Sequence, residues 1–174
     1  FTIDEETGMT GAMGLEAGVL KADILLNLDT EQDDEIGVGC AGGIDVTASR
    51  SYVLEPTPQS TLAYTITVKG LRGGHSGMDI HMGYGNANKL MARLLCDGFN
   101  RYGLRISRID GGSLRNAIPR ECFALLVVDT VHQKKFERAT TSLIFDIENE
   151  YSSIEPGLSI ILNSCELPET VMDL

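Results

Sequence analysis

Three consecutive carboxylates near the start of the chain have the clearest chemical potential in the sequence. Asp4, Glu5 and Glu6 follow the β-prone Phe1–Ile3. Neighbours on a regular strand face opposite sides, so both glutamates reach one point only if the strand ends there, as Thr7–Gly8 predicts. One glutamate could then bind a metal while the other takes a proton from a metal-bound water, which suits hydrolysis. A solvated acidic turn or a helix N-terminus is the alternative.

A further carboxylate, Asp29, follows the mostly apolar run Ile24–Leu28. Open α/β sheets place ligand-binding groups at the carboxyl ends of their strands. We therefore expect Asp29 and the two glutamates to converge on one cation. Asp29 could instead cap the turn 30–34, because aspartate side chains bond to nearby backbone groups.

A histidine stands between glycines directly after a predicted strand. His75 is therefore expected on an exposed loop, and loops held by a rigid scaffold often carry function. His81 follows six residues later, a spacing that does not match a zinc pair on a helix. A solvated loop histidine without a ligand is the alternative.

A second polar loop, Gly111–Pro119, contains Asn116, although a plain turn explains this segment equally well. Serine and cysteine do not occur in a pattern with histidine that is typical of a nucleophilic triad. The four cysteines are widely spaced, which predicts free thiols rather than a disulfide framework.

From about Ala48 onward, strand-like and helix-like segments alternate. The predicted strands are 62–68, 104–109, 123–129 and 158–162, and the predicted helices are 85–98 and 132–151. Their order, β-α-β-β-α-β, is the split βαβ arrangement of ferredoxin-like domains. In that arrangement two helices cover one face of an antiparallel sheet and leave the other face free to pack.

The first 45 residues have a different texture, rich in glycine and in short apolar runs. The runs at 24–28 and 36–40 suit buried strands of an α/β sheet. We therefore predict a partial α/β domain at 1–45 and an α+β domain at 46–174. The chain opens at Phe1 within a strand-like stretch, so we also expect an upstream portion to be missing.

The charge balance excludes some classes of partner. With 14 basic and 25 acidic side chains, the net charge is -11. Such a surface repels nucleic acid and anionic membranes. No apolar stretch reaches the roughly 20 residues needed to span a bilayer.

Several motifs occur together and in a fixed order. They are Thr2-x-Asp4-Glu5-Glu6-x-Gly8, Leu28-Asp29, Gly-Gly-His-Ser-Gly at 73–77, Gly111-Gly112 and Asn-Ala-Ile-Pro at 116–119. In this order they resemble the M20 metallopeptidases, and the sequence around them is similar to the aminoacyl-histidine (Xaa-His) dipeptidase branch. The resemblance covers essentially the whole chain. It implies part of a zinc-peptidase α/β catalytic domain followed by an incomplete βαββαβ lid and dimerisation domain.

The resemblance also implies a function and roles for individual residues. The implied protein is a cytoplasmic, homodimeric dipeptidase that uses two zinc ions, or other divalent ions, to hydrolyse Xaa-His dipeptides. Glu5 resembles the general base, and Glu6 and Asp29 resemble two metal ligands. His75 resembles a lid histidine that reaches the neighbouring subunit's active site to stabilise the oxyanion. Asn116 resembles a lid residue that contacts the substrate.

The chain also departs from the family pattern. An upstream histidine, a bridging aspartate before the Glu-Glu motif and a histidine near the carboxyl end of the family's chains are not in this sequence. Catalytic zinc normally has three protein ligands, so we predict that this chain alone is inactive. Two alternatives stay open: a non-catalytic βαββαβ module for ligand binding or dimerisation, and an M20 hydrolase of acyl-amino acids.

Overall fold

The computed structural model describes residues 3–4, 9–24, 26, 34–39, 42, 44 and 46–173. The chain divides into two compact units, Phe1–Arg50 and Ser51–Leu174. Within these described ranges, neither the short nor the long helices combine the length and hydropathy needed to cross a membrane. The assignment of the units to a catalytic domain and a lid domain stays a prediction.

In the N-terminal unit, the chain turns at the first residue of the acidic motif. Asp4 has φ 60, a left-handed conformation that does not occur within a regular strand. Its backbone carbonyl accepts from the Met9 amide at 2.6 Å, and its Oδ2 accepts from the Thr10 hydroxyl at 2.6 Å. A single helical turn, Thr10–Met13, follows. The aspartate of the motif therefore has a local structural role.

The strand predicted at 36–40 is wrong for its described residues, 36–39, which belong to no strand. Ile36 and Val38 are 92% and 100% exposed. In the run 24–28 the described residues are Ile24 and Leu26, which are also exposed and outside any strand. An apolar run becomes a buried strand only where other strands and helices cover it. The described residues supply no such cover here.

The second unit has the predicted βαββαβ order, with one short strand added before it and one after it. Its elements are β1 (Leu54–Pro56), β2 (Thr61–Lys69), α1 (Ala87–Tyr102), β3 (Arg105–Gly111), β4 (Cys122–Asp129), α2 (Gln133–Tyr151), β5 (Ser159–Cys165) and β6 (Thr170–Met172). A four-stranded antiparallel sheet has the order β3-β4-β2-β5. With β2 and β4 central, this is the ferredoxin-like arrangement, so the predicted fold is confirmed.

Both long helices pack on one face of this sheet. Alternate residues of β2 point toward them, and Tyr64, Ile66 and Val68 are buried there. Apolar residues at helical spacing on one side of α1 are all buried: Ala87, Leu90, Met91, Leu94 and Leu95. From α2, Phe136 is fully buried, with its ring centroid 5.3 Å from that of Tyr64. The core therefore fixes β2 and the start of α1, which flank the His75 segment.

Helix α1 runs past its predicted end at Gly98. An alanine Cβ at Gly98 would lie 2.6 Å from Leu104 Cδ1, so the glycine permits close packing inside the helix. The helix ends at Gly103, which has φ 64 and whose amide bonds back to Phe99. At the other end, the Asn86 side chain accepts from the Lys89 amide at 3.1 Å as an N-cap.

The sequence analysis missed a two-stranded pair, β1 and β6, on the other face of the sheet. Val171 of β6 forms a small buried cluster with Ala63 and Val127, which are cross-strand partners on that face. Arg105 Nη2 bonds to Glu55 Oε2 and to the Met172 carbonyl, each at 2.6 Å. The face that was expected to be free for packing is therefore partly covered from within the chain.

Candidate active-site loop

The segment that joins β2 to α1, residues 70–86, is called here the His75 loop. A single buried carboxylate holds both of its ends. Glu155, which is 2% exposed, accepts from the Arg72 amide at 2.8 Å and from the Gly85 amide at 2.9 Å. Backbone amides bonded to a carboxylate form charge-assisted hydrogen bonds, which are stronger than neutral ones. Glu155 therefore fixes where the His75 loop leaves and rejoins the scaffold.

The His75 loop pairs with the loop that contains Asn116. His75 and Ala117 form an isolated antiparallel bridge. The Ser76 amide donates to the Asn116 carbonyl at 2.8 Å, and the Ile118 amide donates to the Gly74 carbonyl at 2.8 Å. The structure thus pairs the backbones of the two loops that carry His75 and Asn116, the residues that the sequence singled out there.

The His75 imidazole is exposed but oriented by the turn that follows it. Its Nδ1 accepts from the Gly77 amide at 3.0 Å and from the Met78 amide at 3.1 Å. A ring nitrogen that accepts hydrogen bonds carries no proton, so the proton of the neutral ring is on Nε2. His75 therefore offers a hydrogen-bond donor to whatever approaches the loop.

Two glycines make this arrangement possible. Gly74 has φ +153, and a Cβ there would lie 2.9 Å from Asp79 Oδ2. At Gly77 a Cβ would lie 3.3 Å from His75 Nδ1, tighter than an ordinary contact. The glycines beside the histidine thus give its ring and the Asp79 carboxylate room close to the backbone.

A groove of about 490 Å³ lies beside these two loops. Its lining includes the neutral side chains of Ser76, Asn86, Asn88 and Ser113, together with the cation Arg115. Amides and hydroxyls can both donate to and accept from a peptide group, and a guanidinium matches a carboxylate. The groove therefore offers hydrogen-bonding groups beside the two loops, although its lining includes neither His75 nor Asn116.

The remaining predicted site residues, Glu5, Glu6 and Asp29, lie outside the described residues. Their predicted convergence on one metal site stays a prediction. In the parts of the chain that the structure does describe, no three His, Cys, Asp or Glu side chains are grouped as metal ligands.

The described cysteines are free thiols, as predicted: Cys96, Cys122 and Cys165. Cys40 lies outside the described residues. Burial raises the pKa of the Cys122 thiol, and slight burial together with the nearby Glu166 carboxylate raises the pKa of the exposed Cys165. A raised pKa lowers the thiolate fraction, so neither thiol is activated as a nucleophile.

Sequence reasoning missed two residues of this site, Asp79 and Glu155. Asp79 left a signal, because an aspartate four residues after a loop histidine and among glycines suits a side-chain-bonded turn. Glu155 gave no local signal: it is one more acidic residue after an amphipathic helix, and its partners lie 83 and 70 residues away.

Comparison with known proteins places the chain in a family. Residues 60–155 match the M20 peptidase dimerisation domain. The chain is 43% identical over 164 residues to the cytosol non-specific dipeptidase of Escherichia coli K12, which covers 94% of this chain and 34% of that protein. It also resembles the crystal structure of the aminoacylhistidine dipeptidase from Vibrio alginolyticus. For that structure the TM-score is 0.76 and the identity 41%, over 99% of this chain and 35% of the other.

The chain therefore spans about a third of the length of the relatives it matches. The family match falls on the βαββαβ unit that carries the His75 and Asn116 loops and on the buried Glu155 that anchors one of them. On this evidence the chain belongs to the M20 peptidase family through its dimerisation domain.

Proposed function

We propose that this chain is an internal part of a metal-dependent dipeptidase of the M20 family. The two relatives support the proposal, because their names describe a non-specific dipeptidase and an aminoacylhistidine dipeptidase. In this proposal residues 1–45 belong to the catalytic domain and residues 46–174 to the lid. By analogy with the cytosolic E. coli relative, we place the enzyme in the cytoplasm.

The acidic residues of the N-terminal unit have the chemistry for the metal site of such an enzyme. Glu6 and Asp29 offer carboxylate oxygens, which zinc and other divalent ions accept as ligands. Bound metal ions would polarise the peptide carbonyl and acidify a water. Glu5 would take the proton of that water and pass it to the leaving amine. The proposal requires ligands in addition to Glu6 and Asp29, because two carboxylates do not complete a zinc site.

The observation that carries the proposal is the His75 loop, in which an exposed imidazole has its donor nitrogen defined by backbone bonds. A donor fixed before the substrate arrives stabilises developing negative charge without reorganisation. We propose that His75 donates to the oxyanion in the neighbouring subunit of a homodimer and that Asn116 contacts the substrate. Support comes from the backbone pairing of their two loops, in which the Ser76 amide donates to the Asn116 carbonyl.

Activity and metal content can be tested in an extended version of the protein that includes the flanking sequence. We expect stoichiometric zinc and hydrolysis of β-alanyl-histidine. Glu5→Gln should lower kcat by about 100- to 10,000-fold, as expected for loss of a general base. Glu16→Gln, at another acidic position of the same unit, is the matched control and should have little effect. Hydrolysis that survives Glu5→Gln or complete metal removal would refute the proposal.

A non-catalytic dimerisation module is the second candidate, favoured by the match of residues 60–155 to a dimerisation domain. It predicts dimers in sedimentation, with neither zinc binding nor hydrolysis even in the extended protein. A third possibility keeps the chemistry and changes the substrate. Parallel assays of β-alanyl-histidine and N-acetyl amino acids distinguish a dipeptidase from an acyl-amino-acid hydrolase.

A further inference from the structure

Asp79 forms a closed pair of hydrogen bonds with His75. The His75 amide donates to Asp79 Oδ2 at 2.7 Å, and the Asp79 amide donates to the His75 carbonyl at 3.0 Å. The next bond, from the Met82 amide to the Asp79 carbonyl at 2.9 Å, continues into the 3₁₀ turn Ile80–Met82. Asp79 thus closes the turn from both sides and connects it to a regular element.

The same turn supplies both donors to the imidazole. Gly77 and Met78 lie between His75 and Asp79, so both amides that donate to Nδ1 belong to the segment that the two His75–Asp79 bonds close. A loop histidine without such bonds exchanges its proton between two ring nitrogens. One whose Nδ1 is occupied by two amide donors keeps the proton on Nε2.

We infer that Asp79 is a positioning residue that closes the His75 turn, so that the Gly77 and Met78 amides hold the imidazole as its Nε2–H tautomer. The consequence for catalysis rests on the proposed function, because it requires His75 to be the oxyanion donor. The structural part does not, since the turn and its bonds lie within this chain. Asp79 contacts no reacting atom in this scheme and acts only through His75.

Nitrogen-15 NMR of the 174-residue chain tests the structural part directly. The chain has three histidines, so the exposed His81 serves as an internal standard for an unconstrained ring. At a pH where the rings are neutral, His75 should show a protonated Nε2 and an unprotonated Nδ1. The Gly77 and Met78 amides should exchange with solvent more slowly than neighbouring exposed loop amides. A tautomer mixture at His75 equal to that of His81 would overturn the inference.

Variants of Asp79 separate its role from general folding. Asp79→Ala should move the His75 tautomer ratio toward that of His81 and remove the amide protection. Asp79→Asn, whose side-chain oxygen can still accept from the His75 amide, should restore both. Asp146→Ala, an exposed aspartate of α2, is the matched control and should change neither. An unchanged tautomer ratio in a folded Asp79→Ala chain overturns the positioning role.

The catalytic consequence is measured in the extended protein. Asp79→Ala should lower kcat about 10- to 100-fold, the cost of a misplaced catalytic group, with a smaller effect on KM, and Asp79→Asn should recover most of the rate. If the NMR result holds but His75→Ala retains full hydrolysis, the proposed role of His75 fails and the turn remains as inferred. If hydrolysis depends on His75 but the His75 tautomer ratio does not change in Asp79→Ala, the positioning inference fails and the proposed function stands.

Discussion

Replacing Glu155 tests how strongly the His75 loop depends on one buried carboxylate. The wild-type side chain accepts two backbone hydrogen bonds, each of the charge-assisted kind worth about 1.5–3 kcal/mol. Glu155→Gln keeps one acceptor oxygen and turns an amide donor toward the other backbone N–H. One bond is therefore lost and a buried donor is left unpaired. We expect the free energy of unfolding to fall by about 2–3 kcal/mol.

Urea unfolding of the chain, followed by far-ultraviolet circular dichroism, measures this loss. A decrease of about 2 kcal/mol should lower the midpoint by roughly 1 M, since small proteins lose about 1–3 kcal/mol per molar urea. Hydrogen exchange should locate the effect at the Arg72 and Gly85 amides. The matched control is Glu150→Gln, which breaks an exposed ion pair with Arg93 and should cost less than about 1 kcal/mol. The reasoning is refuted if the free energy of unfolding of Glu155→Gln lies within about 0.5 kcal/mol of wild type, which is about a third of one such bond.

Three further predictions concern the scaffold. Burial is the main cause that raises the pKa of Tyr64 to about 12, and a hydrogen bond to Glu137 is the second. The phenol proton is therefore bound more tightly in the folded state than in the unfolded state. About 2 kcal/mol of stability, fully present below pH 10, should be lost as the pH rises from about 10 toward 12. Measuring the free energy of unfolding against alkaline pH should show this loss, and Tyr64→Phe should remove the pH dependence. Gly98→Ala should destabilise the chain by about 1–3 kcal/mol in urea despite the better helix propensity of alanine, because its Cβ would meet Leu104. Asn86→Ala should cost about 1 kcal/mol in thermal unfolding through loss of the α1 N-cap.

The βαββαβ unit was predictable because local and tertiary preferences agree along it. The alternating pattern of 62–68 and the apolar stripe of α1 each point to one buried face, and the sheet and helices bury those faces. The ends of α1 were less predictable. Gly98 and Gly103 look alike in sequence, but of the two only Gly103 adopts positive φ, while Gly98 makes room for the side chain of Leu104, the residue before β3.

The short pair β1 and β6 shows where pattern reasoning fails. Each strand has three residues, and β1 contains Pro56, which normally argues against a strand. Their pairing depends on a contact between residues more than one hundred positions apart, Leu54 and Met172. Such pairing leaves no periodic trace in either segment. The same limit applies to 36–39, whose composition suits a buried strand although the described residues provide no partner for it.

For the candidate site residues, too, the sequence predicts positions on loops but not the contacts between those loops. His75 and Asn116 could be singled out because glycines and prolines mark their loops, but the pairing of the two loops required the fold. The tautomer of His75 depends on heavy-atom positions within one turn, and no sequence pattern reports it.

The described contacts that hold the His75 loop come from the βαββαβ unit itself. Glu155 holds its ends, the Asn116 loop pairs with its centre, and Arg120 Nε donates to the Leu71 carbonyl at 3.1 Å beside it. None of these bonds requires a metal, a substrate or a second subunit. Under the proposed function, dimerisation would therefore deliver a hydrogen-bond donor that is already oriented. The entropic cost of orienting His75 would then be met during folding rather than at the transition state. Loosening the His75 loop should then lower kcat more than it weakens dimerisation. Kinetics and sedimentation on one Glu155→Gln preparation of the extended protein can compare the two effects.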